Sequence, residues 1–494
     1  MCLALANLMD NAGYQLYEKS LRRIDNQISI FTVVRHGRKL VGMLGPEHIH
    51  RLADETGPAR LRLSAEEKVT LHPLTWENYV RLRQMLPLAP SICGKAASFG
   101  TGDRLGMVSA AHLEADNKFQ VFPVIAQQSP RELERTNRTF KSVLLDAVMG
   151  VLESGYTGSF GADADHIKND TQFMEGVEAG YSMFTLDVSD NLLDISSLSA
   201  SEINDAANNL TELSRGIAKR YAEKTISLPG EQNYTFSEDE LIRSALVYEK
   251  SMLQAVRFCG MARTKLDEFD LEISIDEGSR ETTPEDHLFV AEFLHANNVD
   301  FTSLAPKFPG QFQKAVDYKG NYAELKRSFS IHGELARLIG GYRLSMHSGS
   351  DKFSIYEIFA EMTRGNFHIK TSGTSWLQAV RLIAHTNLQL FKDMYDICIE
   401  TLPESKKAYH VDITPTDFPN KLPYDAIRFF GQPNVQQLFH ISYGALLDAK
   451  RPEILDTLHK NEQQHYAFVT EHIERHLKLA FNKKGEKSPS LLTP

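Results

Sequence analysis

The segment Asp163-Ala164-Asp165-His166 places two carboxylates beside an imidazole, and a second imidazole, His347, opens a run of hydroxyl, carboxylate and ammonium groups ending at Lys352. Ionisable groups this dense can hold a divalent cation and keep a general base beside it. A further carboxylate comes from Glu272. In the stretch from Asp270 to Asp276, Leu271, Ile273 and Ile275 face one way, and Glu272, Ser274 and Asp276 the other. Histidines and a carboxylate converging from separate segments are the usual ligand set for zinc, manganese, iron, nickel or cobalt rather than magnesium. The competing explanation is a carboxylate that only orients a histidine within a hydrogen-bonded turn. For His332 and His368, which lack such neighbours, a satisfied core histidine is expected.

Other polar residues nearby suit an anionic or hydroxylated ligand. Lys307 and Lys370 end apolar segments, where a lysine neutralises an anion, forms a Schiff base, or simply pairs with an aspartate. Asp103, Arg104, Gln127, Gln128, Ser348, Asp351, Lys352 and Thr371 are candidates to bind sugar hydroxyls or a carboxylate. The glycines of Gly100-Thr101-Gly102-Asp103-Arg104-Leu105-Gly106 are like a dinucleotide fingerprint, but the last spacing is one residue too long. NAD is therefore not expected as a cofactor, and no Walker motif is present either.

The elements that position these residues follow a repeated pattern of short apolar strand, polar end and helical stretch. Strands are predicted at Ala96–Phe99, Phe122–Ala126, Gly158–His166, Met183–Asp187, Phe269–Glu277, Phe301–Lys307, Arg343–His347 and Asn366–Lys370. Eight strands alternating with helices, each carrying polar residues at its C-terminal end, predict an α/β fold, a (β/α)8 barrel of the TIM type. A doubly wound open sheet would use the same alternation. The barrel is expected over 91–385 with a helical insertion at about 190–265. A small α+β region is expected over 1–90, containing a hairpin around His36-Gly37-Arg38 and a helix from Thr75 to Leu86. His36 and His72 there are expected at the surface. A helical extension over 386–494 is assigned to packing or homo-oligomer formation, with a disordered tail from Lys483.

The composition excludes several classes. The chain has 494 residues, 42% hydrophobic and 24% charged, typical of a soluble globular protein with a sizeable core. A formal charge of −10 without a basic stripe argues against nucleic acid as a partner. No apolar run reaches the ~18 residues of a membrane span, and no signal peptide is visible. Cys2, Cys93, Cys259 and Cys398 lie far apart without a CxxC, so a reducing cytoplasm is expected.

Taken together, Ser98-Phe99-Gly100-Thr101-Gly102-Asp103-Arg104-Leu105-Gly106, Ala126-Gln127-Gln128-Ser129, Phe160-Gly161-Ala162-Asp163-Ala164-Asp165-His166 and His347-Ser348-Gly349-Ser350-Asp351-Lys352-Phe353-Ser354 resemble the tagaturonate epimerase family. The resemblance runs from Glu18 to Gly444. It implies a divalent metal held by His166 and His347, with Asp165 and Glu272 as acid and base. It also implies interconversion of tagaturonate and fructuronate, which differ at a carbinol carbon beta to the ketone. The C–H there is not acidified, so a retro-aldol step is expected in place of a two-base proton swap. The alternatives are a ketohexose 4-epimerase acting on tagatose or fructose, a metal-dependent sugar-acid aldolase, and a sugar-binding regulatory protein on a degenerate barrel.

Overall fold

The computed structural model describes residues 2–46, 52, 60–64, 67–228, 233–407, 409 and 411–484. Eight parallel strands close into a barrel: β1 (Ser98–Thr101), β2 (Phe122–Gln128), β3 (Gly161–Ile167), β4 (Met183–Asp187), β5 (Asp270–Ser274), β6 (Ser303–Ala305), β7 (Arg343–Met346) and β8 (Phe367–Thr371). Each strand pairs with the next in sequence, and β8 closes on β1 with His368 opposite Ser98. The closed ring excludes the open sheet. β6 is shorter than expected because Pro306 has no N–H to continue the ladder.

Strand alternation separates two environments. Phe99, Phe184, Leu271, Ile273, Leu304, Leu344 and Ile369 lie in one apolar core with the surrounding helices. The other pleat fills the barrel with polar side chains, where branched aliphatics are the common filling. Near the N-terminal end of the barrel Arg343 donates to Ser98 Oγ at 2.7 Å and to Ala96 O at 3.1 Å, and Ser98 Oγ meets His368 Nδ1 at 2.8 Å. Burial drives the His368 imidazole down to about 3. His332 lies outside the barrel, satisfied by His287 at 2.9 Å and by Thr282 O at 3.2 Å.

Before the barrel, a five-stranded antiparallel sheet contains the expected hairpin, Ser29–Arg35 with Arg38–Gly45. His36 and Gly37 both have positive φ, 50° and 74°, as a two-residue turn matched to strand twist requires. His36 is exposed, but His72 is buried and bonded to Thr70 Oγ1, because it lies within the strand Lys68–His72 and not after it. The helix after Thr75 stops at Leu82. The insertion contains helices Ala200–Ala207, Glu212–Tyr221 and Glu238–Arg263, and also a small hairpin, Thr225–Ile226 with Tyr234–Thr235.

The C-terminal helices build a second core around Trp376, Phe391, Phe439 and Tyr443. The last helix, Glu462–Ala480, lies along helices Ser109–Asp116, Tyr356–Met362 and Thr374–Thr386 and buries His465, Val469, Ile473, His476 and Leu477. It is therefore docked on the barrel. Lys483 and Lys484 do not begin a loose tail: Lys483 bridges to Phe119, and Lys484 N–H donates to Lys118 O at 3.0 Å. The rest of the expected tail lies outside the described residues. No helix among them is long and apolar enough to cross a membrane.

Candidate active site

At the C-terminal ends of the strands the polar interior becomes a charged cage. Lys370 on β8 reaches across the barrel to Asp163 Oδ2 and Asp165 Oδ1, each at 2.7 Å, to Glu272 Oε1 at 2.9 Å, and to Thr185 Oγ1. Burial opposes the ammonium, but the three carboxylates outweigh it and hold its pKa above the ordinary range. Burial raises Asp163 to about 6 against the pull of Lys370, with Asp165 and Glu272 adding to the rise. Asp165 and Glu272 are held well below the carboxylate range: burial works the other way, and His166 with Lys370, and Lys370 with His347, overcome it.

His166 and His347 come together above this cage, their ring centroids 4.9 Å apart. Alternation alone would turn Asp165 and His166 to opposite faces. The register between β3 and β4 shifts between Ala164 and Ile167, and His166 takes φ 55°, so both side chains reach the barrel mouth. Each imidazole is fixed through one nitrogen by a carboxylate: His166 Nδ1 by Asp165 at 2.9 Å, and His347 Nε2 by Glu272 at 2.5 Å. Carboxylates behind the rings of metal-binding histidines commonly set tautomer and orientation in this way. His347 Nδ1 is buried and has no aligned hydrogen bond, although Asp276 Oδ1 lies 3.1 Å from it.

Donor atoms of His166, Asp276 and His347 all lie within 4.8 Å of one another. Burial disfavours the His347 cation, yet Asp276 and Glu272 raise it to about 10 against the opposing charge of Lys370. Two imidazoles and one carboxylate, with an unsatisfied buried nitrogen among them, fit a divalent cation of the zinc, manganese, iron, cobalt or nickel type. Asp276 was legible as inward-facing in sequence, but nothing there singled it out over Glu272 as the carboxylate that groups with the two imidazoles. Glu272 is fully buried behind His347, bonded to Ser303 Oγ at 2.6 Å as well as to His347 and Lys370.

The cluster opens into two adjoining cavities of about 530 and 750 Å³ that share Asp276, Glu277, His347, Ser348 and Tyr409. Of the other expected site residues, Asp165, His166, Arg104 and Ser348 line the smaller cavity, and Lys307 lines the larger. Arg104 is already engaged by Glu132 at 2.9 Å and lies over the Tyr443 ring, and Lys307 donates to Gly278 O at 2.6 Å.

The remaining candidates are directed into the fold. Lys370 takes the ion-pair alternative. Asp103 accepts N–H groups of Leu105, Gly106 and Val108, and Lys352 donates to the carbonyls of Gln313, Val316 and Ser350. Thr371 Oγ1 donates to Gly100 O at 2.8 Å, and Gln127 to Thr371 O at 3.4 Å. The Gln127 side chain also fills the place a Cβ of Gly100 would occupy, so a larger residue there would have to displace it. Gln128 is fully buried. A polar residue after a strand can serve a turn as well as a ligand, and sequence does not separate the two uses.

Asp351 faces the C-terminal helix, where its carboxylate meets His472 Nε2 at 2.8 Å. Its N–H donates to His476 Nε2 at 3.1 Å, while His476 Nδ1 meets His472 O at 2.9 Å. His476 thus has both nitrogens in use, and this second cluster of histidines and a carboxylate joins the β7 loop to the helix. Removing one partner of a buried hydrogen-bonded pair costs ~1–3 kcal/mol, and Asp351→Ala is expected to lower stability in urea by that amount. Burial works against the Asp351 carboxylate, but His472 holds its pKa below the ordinary range. A carboxylate with a depressed folded-state pKa stabilises above its unfolded value of ~3.9 and loses that contribution as pH falls. The gap between wild type and Asp351→Ala should therefore close in acid; a constant gap down to low pH would contradict the pairing.

Comparison with known proteins agrees with this architecture over nearly the whole chain. The tagaturonate epimerase family model matches residues 17–480. A tagaturonate/fructuronate epimerase of Thermotoga maritima is 38% identical over 478 residues, covering 94% of this chain and 97% of the relative. Among solved structures, a fructuronate-tagaturonate epimerase of Cohnella laeviribosi with one glycerol superposes with a TM-score of 0.88 at 32% identity, covering 97% of this chain and 99% of the other. The same enzyme with two glycerols gives 0.89 at 32% identity, covering 98% and 100%. Matches of this extent and identity place the chain in the tagaturonate epimerase family.

Proposed function

We propose that this protein interconverts D-tagaturonate and D-fructuronate at the barrel mouth, with a divalent metal held by His166, His347 and Asp276. The observation that carries this reading is the convergence of those three donors on the wall of a sugar-sized cavity, in a chain of this family. When bound there, the metal would supply Lewis acidity toward the ketone oxygen of the substrate.

The chain's own residues supply the proton chemistry. Asp165 is the carboxylate that both lines the cavity and adjoins His166. It accepts the proton from the hydroxyl of the beta carbinol carbon as the adjacent C–C bond breaks. The aldehyde so formed turns, is attacked on its other face, and takes the proton back. Glu272 has no surface in the cavity, so its role here is to orient His347 and not to act as acid or base. Glu277, exposed in the same wall, is the second group able to exchange protons with the substrate.

Positioned acid-base groups contribute ~10²–10⁴-fold, so Asp165→Asn, with metal supplied in excess to offset any weaker hold on His166, is expected to lose at least ~10²-fold in turnover. Wild-type turnover in that variant would remove Asp165 from the mechanism. The function itself is tested by incubating purified protein with tagaturonate and, separately, with tagatose, each with and without added divalent metal. Free three-carbon fragments as the main product would identify an aldolase. Binding without turnover would identify a sugar-binding protein.

A further inference from the structure

Resting on the function proposed above and extending it, we propose that Lys314, flanked by Arg131, binds the carboxylate of the hexuronate and so selects acids over neutral ketohexoses. Both residues line the cavity of about 530 Å³ that also exposes His166, Asp276 and His347, so one six-carbon acid can touch the two groups at once.

Elimination leads to Lys314. Among the other cations of this wall, Arg104 is paired with Glu132, Lys406 donates to Ile413 O at 2.6 Å, and Lys407 pairs with Glu404 at 2.5 Å. Lys314 Nζ has one hydrogen bond, to Ser348 Oγ at 2.9 Å, and no carboxylate of a described residue lies within ion-pair distance. An ammonium has three donors. Two are therefore left for a ligand beside a loop that already carries His347.

The surroundings favour an anion. Burial and then the neighbouring Arg131 lower the Lys314 pKa, while Tyr409, Glu132 and Glu277 act the other way from a distance, so a bound carboxylate would supply the direct ion pair that none of them makes. The Arg131 guanidinium lies 5.1 Å from the centroid of the Tyr409 ring. The Tyr409 hydroxyl is buried in the same wall and has no hydrogen-bond partner among the described residues. The ammonium and the phenol thus offer a charged and a neutral donor from separate segments, with the guanidinium charge beside them. A CH₂OH in place of the carboxylate would forgo the charge-assisted contact with the ammonium.

In the retro-aldol route the carboxylate belongs to the aldehyde fragment. An anchored carboxylate lets the aldehyde turn about its own C–C bond without leaving the cavity.

The test compares wild type, Lys314→Met and Lys314→Arg in their KM and kcat for tagaturonate and in the inhibition constant of D-fructose against that reaction. A charge-assisted contact of this kind is expected to raise KM at least ~10-fold in Lys314→Met, with kcat changed less, and Lys314→Arg should recover most of the loss. The fructose constant and the bound-metal content should stay at wild-type values. An unchanged KM overturns the assignment. So does an equal loss of affinity for fructose, which would reflect a disturbed Ser348 loop. A wild-type protein that does not epimerise tagaturonate would instead refute the proposed function.

Discussion

A chelator should leave the protein folded but without epimerase activity, and Mn²⁺, Co²⁺, Ni²⁺ or Zn²⁺ should restore it. The reason is local: His166 and His347 are each tied through one nitrogen to a carboxylate, and together with Asp276 they gather donor atoms within 4.8 Å. A Lewis acid supplies several kcal/mol of charge stabilisation, so its removal should cost at least ~10³-fold in turnover. His166→Ala, His347→Ala and Asp276→Ala should each lose bound metal in elemental analysis and lose activity with it. Glu272→Gln should weaken metal binding less, because it disturbs the orientation of His347 without removing a donor. Undiminished turnover by a preparation shown to be metal-free would end the metal-dependent account.

Lys370→Met is expected to fail as a folded protein or to unfold at much lower denaturant than wild type. The ammonium is buried among Asp163, Asp165 and Glu272, and without it three carboxylates face one another away from water. Breaking a buried ion pair by deleting one partner costs ~3–5 kcal/mol, and this lysine serves three partners. Adding Asp163→Asn to Lys370→Met should recover part of the loss, because it removes one of the stranded charges, and the non-additivity measures the coupling. A Lys370→Met protein of normal stability with only a raised KM would mean that the lysine reads the substrate and not the cage.

Much of this architecture was legible in the chain. Leu271, Ile273 and Ile275 against Glu272, Ser274 and Asp276 gave the inward face of β5, and the same period in Leu344, Ser345, Met346 and His347 gave that of β7. Eight such units implied closure, and the strands do close. The motifs around Asp163 and His347 pointed to the family without any coordinates.

The roles within the site were less legible. Whether Glu272 or Asp276 stands nearer a metal depends on how far each lies along the barrel axis, and alternation gives the same answer for both. Lys307 and Lys370 looked equivalent at their strand ends, but Lys370 points across the interior to β3, β4 and β5 while Lys307 folds onto Gly278 O. Lys314 and Tyr409 sit in loops with no period to read.

The sequence by itself therefore determined the alternation, the number of strands and the inventory of reactive groups, because these follow from residue type and a two-residue repeat. Only the tertiary structure decided which groups meet. Barrel closure sets Lys370 beside carboxylates from distant parts of the chain, and the register shift at His166 turns that imidazole toward His347. These contacts are made through space between strand ends, and a one-dimensional pattern carries no record of them.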